Sequence, residues 1–163
     1  MTRQTITLLS LLLSASLTIP ALGATAHKAV TGESTLQETP HGVLLHAVFQ
    51  NVPQGWHALH IHEIGKCEPP DFKSAGGHFN PDKKEHGYNN PNGYHAGDLP
   101  NVYAGPSGKI DVQLLVPSVT LEKGPNSLLD KDGSALVLHE KADDYKTNPA
   151  GNAGKRIGCA VIR

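Results

Sequence analysis

The sequence WHALHIH, residues 56–62, places three histidines within seven positions. In an extended strand, residues two apart share a face, so His60 and His62 point to one side and His57 to the other. Two imidazoles on one strand face are a candidate beginning of a metal site, because imidazole is a common ligand for zinc and copper.

Short β-like runs recur on both sides of this stretch, and turn-rich segments separate them. The chain has 17 Gly and 12 Pro, only 5% aromatic residues and no sustained apolar period of 3.6 residues. This pattern predicts an antiparallel all-β sandwich or barrel. The runs are STLQE, GVLLHAVFQ, WHALHIH, KIDVQLLVP, SALVLHE and RIGCAVI.

The first 26 residues are typical of a secretory signal peptide. Arg3 precedes a largely apolar run, and the small residues of 21–23 and 24–26 offer cleavage sites. The alternative is an uncleaved membrane anchor, but Pro20 breaks the run short of the roughly 20 apolar residues that a span needs. We therefore expect a signal peptide at 1–26, cleaved near 23–26, and one domain at 27–163.

Charge and cysteine content narrow the function classes. The net charge of −1 gives no basic patch for nucleic acid. Cys67 and Cys159 lie far apart in a chain that is predicted to be exported, and such pairs usually form a disulfide in oxidising compartments. The alternative, two thiolate metal ligands, lacks the close cysteine spacing of zinc sites.

More than forty residues between HIHEIG and KIDVQLLVP carry almost no strand signal. A loop of this length in a compact domain is usually functional or disordered. It contains His78, His86, His95 and Asp98, a set that can saturate a tetrahedral zinc ion and so supply folding energy. The alternative is a solvated loop, because His and Asp also suit turns.

Several separate blocks resemble the copper,zinc superoxide dismutases in their bacterial secreted form. The blocks are HALHIHEIG, SAGGHFNP, HAGDLPN, GSALVLHEKADD and GNAGKRIGC, and the resemblance runs from about Ser34 to Ile162. It implies a Greek-key, Ig-like sandwich or barrel with a long metal-binding loop. Only about ten residues separate the expected cleavage from Ser34, so we expect the N-terminal strand to be shortened.

The resemblance also implies one copper and one zinc per chain, with His78 bridging both metals. The residues agree in part, because His60 and His62 share a strand face and four imidazoles suit Cu(II). The implied ligands are His60, His62, His78 and His139 for copper, and His78, His86, His95 and Asp98 for zinc.

Further roles follow from the same resemblance. Asp143 is expected to bind the free ring nitrogens of His60 and His86, although alone it would be taken for a surface acid. Arg156 is expected to guide the anionic substrate, with Lys141, Lys146 and Lys155 as weaker candidates, although alone it would be taken for a solvated arginine. His78 is expected to carry a proton, and the disulfide is expected to tie the loop to the barrel.

The implied activity is the disproportionation of superoxide to O2 and H2O2 through a Cu(II)/Cu(I) cycle in the periplasm or outside the cell. One alternative is a copper-handling domain that binds the metals without turnover, and another is a zinc-stabilised adhesion sandwich, which leaves His60, His62 and His139 without a purpose. After cleavage we expect no membrane contact. The absent or shortened strand exposes a sheet edge, which favours association and makes a homodimer a candidate assembly. Trp56 is a candidate interface residue, and the alternative for it is an ordinary packed or rim aromatic.

Overall fold

The computed structural model describes residues 28–163, which form eight β-strands and one short 3-10 helix. The predicted signal peptide lies outside the described residues. Within them, no helix is long and apolar enough to cross a membrane. The strands are β1 Thr31–Thr39, β2 Gly42–Gln50, β3 Gly55–His57, β4 Leu59–His62, β5 Val102–Ala104, β6 Ile110–Val116, β7 Ser134–His139 and β8 Arg156–Ile162; the 3-10 helix is Lys73–Ala75.

The all-β prediction is confirmed, and every predicted run contains a strand. The strands form three antiparallel sheets with the orders β1-β2-β6, β4-β7-β8 and β3-β5. The run WHALHIH divides at Ala58 into β3 and β4, and the three-residue strand β5 was not predicted. Among the described residues, the free edges of β1 and β8 are not hydrogen-bonded to each other, so the sheets do not close into a barrel.

The main core lies between the two larger sheets. In β2, alternate side chains are completely buried, from Val43 and Leu45 to Ala47 and Phe49, while the residues between them are partly exposed. This period of two is expected of a strand with one face in the core and one towards water. The register of β2 is therefore fixed by its own sequence.

Strands β4 and β7 are buried on both faces, and this property creates the site. Leu59 and Ile61 of β4 belong to the main core. His60 and His62 alternate with them, so they point to the opposite face, where the long loop covers them.

The disulfide prediction is confirmed. Cys67, at the start of the long loop, is bonded to Cys159 in β8 across a sequence separation of 92 residues, with a Cα–Cα distance of 5.7 Å. Closure of a loop of this size stabilises the folded state by about 4 to 5 kcal/mol on the chain-entropy account. The bond ties the loop to the sheet that carries β4 and β7.

The N-terminal edge agrees with the expectation of a shortened strand. Within residues 28–163, no strand precedes β1, which pairs only with β2. Among the described residues, β1 is therefore a sheet edge, and its outward side chains, among them Glu33, Thr35 and Gln37, are polar and exposed. Polar edge residues reduce edge-to-edge aggregation.

Candidate metal centre

The long loop is held against the free edge of β4 by main-chain hydrogen bonds. The amide of Phe79 donates to the carbonyl of Ile61 at 2.8 Å, and the amide of Ile61 donates to Gly97 at 2.8 Å. The amide of Glu63 donates to Gly77 at 3.0 Å. Two separate parts of the loop thus extend the sheet locally, beside the strand that carries the first two histidines.

This pairing brings the site residues together. His78 lies opposite His62, and Asp98 lies opposite His60. His139 follows a bulge at the end of β7, and its amide donates to the carbonyl of Ala58 at 2.9 Å. Every predicted metal ligand is buried, namely His60, His62, His78, His86, His95, Asp98 and His139.

Four imidazoles form the first cluster, with one ring nitrogen of each within 4.8 Å of the others. Each of these rings has one buried nitrogen without a hydrogen-bond partner among the described residues: His60 Nδ1, His62 Nε2, His78 Nε2 and His139 Nε2. Buried polar atoms are almost always paired. Four unpaired nitrogens in one cluster therefore fit a metal ion that accepts their lone pairs.

The second nitrogen of each ring is bound elsewhere, which fixes how the ring is turned. His62 Nδ1 lies 3.0 Å from the carbonyl oxygen of Gly76, and His139 Nδ1 lies 3.4 Å from that of Gly154. His60 Nε2 lies 2.7 Å from a carboxylate oxygen of Asp143. Such partners set the tautomer and leave the opposite nitrogen as the metal ligand.

The protonation of three histidines of the first cluster also suits a metal. Burial is the largest cause that lowers the pKa of His62 to about 2, that of His139 to about 3 and that of His78 to about 4. These imidazoles are neutral at physiological pH, and the neutral ring is the form that binds a metal.

The second cluster surrounds one oxygen of Asp98. Asp98 Oδ1 lies 2.9 Å from His78 Nδ1, 3.0 Å from His86 Nδ1 and 3.2 Å from His95 Nδ1. His95 Nδ1 lies 3.2 Å from His78 Nδ1. A tetrahedral zinc ion with bonds of 2.0–2.1 Å separates its ligands by roughly 3.3 Å, so the four atoms fit zinc.

Distance alone also groups His60 with His78, His86 and Asp98. We assign His60 to the first cluster, because its Nε2 is bound to Asp143 and its unpaired Nδ1 lies among the four unpaired nitrogens of that cluster.

Burial tends to lower the pKa of His86, but hydrogen bonds to Asp143 and Asp98 outweigh it and raise that pKa to about 9. Metal binding at His86 would therefore release a proton.

Asp143 joins the two clusters. Its Oδ2 accepts from His60 Nε2 at 2.7 Å and its Oδ1 from His86 Nε2 at 3.0 Å. Burial tends to raise the pKa of this carboxyl, but the hydrogen bonds from both histidines hold it well below its usual value. Gly151 has a φ of +62°, and a Cβ there would collide with Asp143 Oδ1, so the position requires glycine.

Arg156 lies beside the first cluster. Its guanidinium donates to the carbonyls of Phe72 at 2.8 Å and Gly76 at 2.7 Å. The carbonyl of Gly76 also faces His62 Nδ1, so one peptide group positions both the arginine and a histidine of the cluster. Arg156 lines a cavity of about 410 Å³ together with Pro70, Asp71, Lys73, Gly154 and Lys155.

The remaining candidate lysines and His57 differ in where they lie relative to the site. Lys155 lines the cavity beside Arg156, whereas Lys141 and Lys146 do not. His57 is buried, but its ring nitrogens lie 2.8 Å from the carbonyl oxygens of His139 and Pro53, so neither nitrogen is free for a metal.

Sequence reasoning missed several groups that shape the site. The carbonyls of Phe72 and Gly76 position Arg156 regardless of side-chain identity, so no sequence pattern marks them. The hydroxyl of Tyr88 donates to the carbonyl of Asp98 at 2.6 Å. Asn101 binds the main chain of Asp143, and in the sequence it is only one of many loop asparagines.

Comparison with known proteins gives consistent results. The family described as copper/zinc superoxide dismutase (SODC) matches residues 30–162. Superoxide dismutase [Cu-Zn] 1 of Aquifex aeolicus is 55% identical over 134 residues, which cover 81% of this chain and 79% of the relative.

Two solved bacterial structures share the fold. A SOD-like protein from Bacillus subtilis is 47% identical, with a TM-score of 0.77 over 80% of this chain and 88% of the other. The Cu/Zn superoxide dismutase from Brucella abortus is 28% identical, with a TM-score of 0.64 over 81% of this chain and 88% of the other.

Proposed function

The chain belongs to the copper/zinc superoxide dismutase family, and we propose a specific assignment of its two metals to the two clusters. As a member it is an oxidoreductase that converts two superoxide anions and two protons to O2 and H2O2, with copper and zinc as cofactors. The observation that carries the assignment is the set of four unpaired, buried nitrogens. The copper ligands are His60, His62, His78 and His139; the zinc ligands are His78, His86, His95 and Asp98.

In this proposal, copper and His78 share the chemistry of the reaction. Copper supplies the one-electron redox chemistry of the reaction. His78 presents Nε2 to the copper cluster and Nδ1 to the zinc cluster, so it links the two. At its Nε2 atom, His78 would hold a proton and give it to the reduced product. The contact of His78 Nδ1 with the zinc cluster keeps the ring in place meanwhile.

Arg156 binds the anionic substrate in this proposal. The net charge of −1 gives the whole protein no attraction for superoxide, so steering must be local. At physiological salt, exposed charges act over about 8 Å. The two carbonyls that accept from Arg156 hold its guanidinium at the edge of the cavity, where it is half-buried and positively charged.

The first prediction concerns this arginine. Arg156→Ala should lower the superoxide rate at least several-fold and leave the bound copper unchanged, because the guanidinium donates to the carbonyls of Phe72 and Gly76 and not to a predicted ligand. Superoxide decay per bound copper, measured at low and high salt, checks this. Lys146→Ala, which removes an exposed cation that does not line the cavity, is the matched control and should retain the wild-type rate. An unaltered rate in Arg156→Ala would exclude the role.

The cellular location is also a proposal. The N-terminal sequence supports a cleaved signal peptide at 1–26, and the bacterial secreted members that the chain resembles support the periplasm. A disulfide between Cys67 and Cys159 agrees with an oxidising compartment. Mass measurement of the protein from a periplasmic extract would identify the mature N-terminus, and recovery of the uncleaved chain from the cytoplasm would contradict the proposal.

A homodimer is proposed on the sheet formed by β3 and β5. Trp56 and Tyr103 are 60% and 48% exposed, and their ring centroids lie 5.2 Å apart. Segments 51–58 and 99–108 contain no Asp, Glu, Lys or Arg. Interface cores are typically rich in aromatic residues and poor in charged ones. An uncharged surface can also pack against the same surface of a second copy without charge repulsion.

Sedimentation of the metal-loaded protein tests the dimer. We expect a dimer at micromolar concentration and a monomer for Trp56→Glu, because a charge would then be buried against its symmetry mate. Leu115→Glu, at a residue of β6 that is 53% exposed, is the matched control and should remain dimeric. A wild-type monomer at all concentrations would refute this interface.

A further inference from the structure

Asp143 depends on one side chain for its main-chain hydrogen bonds. The amide of Asp143 donates to Asn101 Oδ1 at 2.7 Å, and Asn101 Nδ2 donates to the carbonyl of Asp143 at 2.9 Å. Within residues 28–163, these two main-chain groups have no other partner. The carboxamide of Asn101 thus replaces the neighbouring strand that a residue in a sheet would have.

A second contact holds the same segment. The main-chain amide of Asn101 donates to the hydroxyl of Tyr145 at 2.7 Å, and the amide of Tyr145 donates to Asp143 Oδ1 at 2.6 Å. Asn101 therefore binds the main chain of Asp143 directly. It also binds Tyr145, the residue whose amide donates to the Asp143 carboxylate.

The position of this carboxylate affects both clusters, because its two oxygens accept from His60 and His86. Asp143 lies in a loop outside any strand, so no sheet fixes its main chain. The Asp143 side chain has few torsions, and its oxygens can meet both rings only if the main chain stays in place.

We infer that Asn101 is a positioning residue of the metal centre: its carboxamide fixes the main chain of Asp143 and, through it, the rings of His60 and His86. This inference rests on the proposed metal assignment. Loss of a partner just outside the ligands usually costs 10–100-fold in metal affinity. Asn101 acts one contact further out than Asp143, so we expect about a tenfold loss of zinc affinity when its side chain is removed.

The first experiment measures zinc affinity of the full mature chain by competition with a chromophoric chelator. Asn101→Ala should weaken zinc binding by about tenfold and speed amide hydrogen exchange at Asp143. Asn152→Ala is the matched control, because the Asn152 side chain donates to Asp144 and Thr147 in the same loop and not to Asp143. The control should change zinc affinity by less than about twofold.

A double-mutant cycle separates positioning from general destabilisation. In an Asp143→Ala background, Asn101→Ala should weaken zinc binding by less than about twofold, because its effect passes through Asp143. A full additional tenfold loss there, or wild-type zinc affinity in the single variant, would overturn the inference.

Two safeguards keep the result interpretable. If Asn101→Ala does not fold, Asn101→Asp replaces it, since it keeps the acceptor for the Asp143 amide and puts a negatively charged oxygen in place of the donor to its carbonyl. The Asp variant should also weaken zinc binding, and wild-type affinity in it would count against the inference. If the wild-type chain itself bound no zinc, the metal assignment would fail instead, and the two failures are therefore distinguishable.

Discussion

Replacement of His139 by alanine is expected to lower superoxide turnover by more than about 100-fold, beyond the loss usual for a residue that only supports a ligand. The change removes one of the four unpaired nitrogens and leaves a donor set of three. Zinc should remain bound, because His139 makes no hydrogen bond to Asp98, His86 or His95.

The measurement is superoxide decay with copper and zinc quantified in the same sample. His46→Ala is the matched control, because His46 is a partly exposed histidine of β2, in the sheet that does not carry the site, and its ring lies 2.8 Å from Asp111. The control should keep both metals and the full rate. Full turnover in His139→Ala would show that His139 is not a copper ligand.

Removal of zinc is expected to lower the melting temperature by roughly 10–20 °C. A ligand at a thousandfold excess over its Kd stabilises the folded state by about 4 kcal/mol, which corresponds to that shift in a domain of this size. The physical reason lies in the loop between β4 and β6, where regular structure is limited to the 3-10 helix and β5. Without a cation, Asp98 and three buried imidazoles must be held together by hydrogen bonds alone.

Calorimetry of the same sample before and after chelation checks this prediction, with zinc restored at the end. In Asp98→Asn, zinc should give less than half of the wild-type shift, because the charged ligand is gone while the shape is kept. Equal melting temperatures with and without zinc would contradict a structural role for the metal. Amide exchange should locate the loosened region within the loop, while β2 stays protected.

The strands were predictable because their signal is local. The alternating apolar residues of β2 and the β-branched content of β8 are properties of consecutive positions. β5 was missed because it has only three residues, and its pairing with β3 is formed by chain segments far apart in sequence. The break at Ala58 was likewise missed, because β3 pairs with β5 whereas β4 pairs with β7, and both partners lie far away in sequence.

The histidines were predicted to be metal ligands partly from their spacing and partly from the resemblance to a family. The spacing of His60 and His62 gave a shared strand face, and the run ending in His139 gave a nearby strand end. The division of the ligands into two metals came from the resemblance to a family. Spacing alone could not have given it, because His78 contributes one nitrogen to each cluster, and which nitrogen faces which side is a three-dimensional property.

The sequence by itself determined the all-β class, the cysteine pair and the residue types that can bind copper and zinc. Only the tertiary structure decided how they are supported: the Gly76 carbonyl shared by His62 and Arg156, and the carboxamide of Asn101 that holds Asp143. The reason is physical. Strand periodicity and ligand chemistry reside in individual side chains, whereas these supports join a main-chain group to a side chain far away in sequence: Arg156 binds the Gly76 carbonyl across 80 residues, and Asn101 binds the main chain of Asp143 across 42.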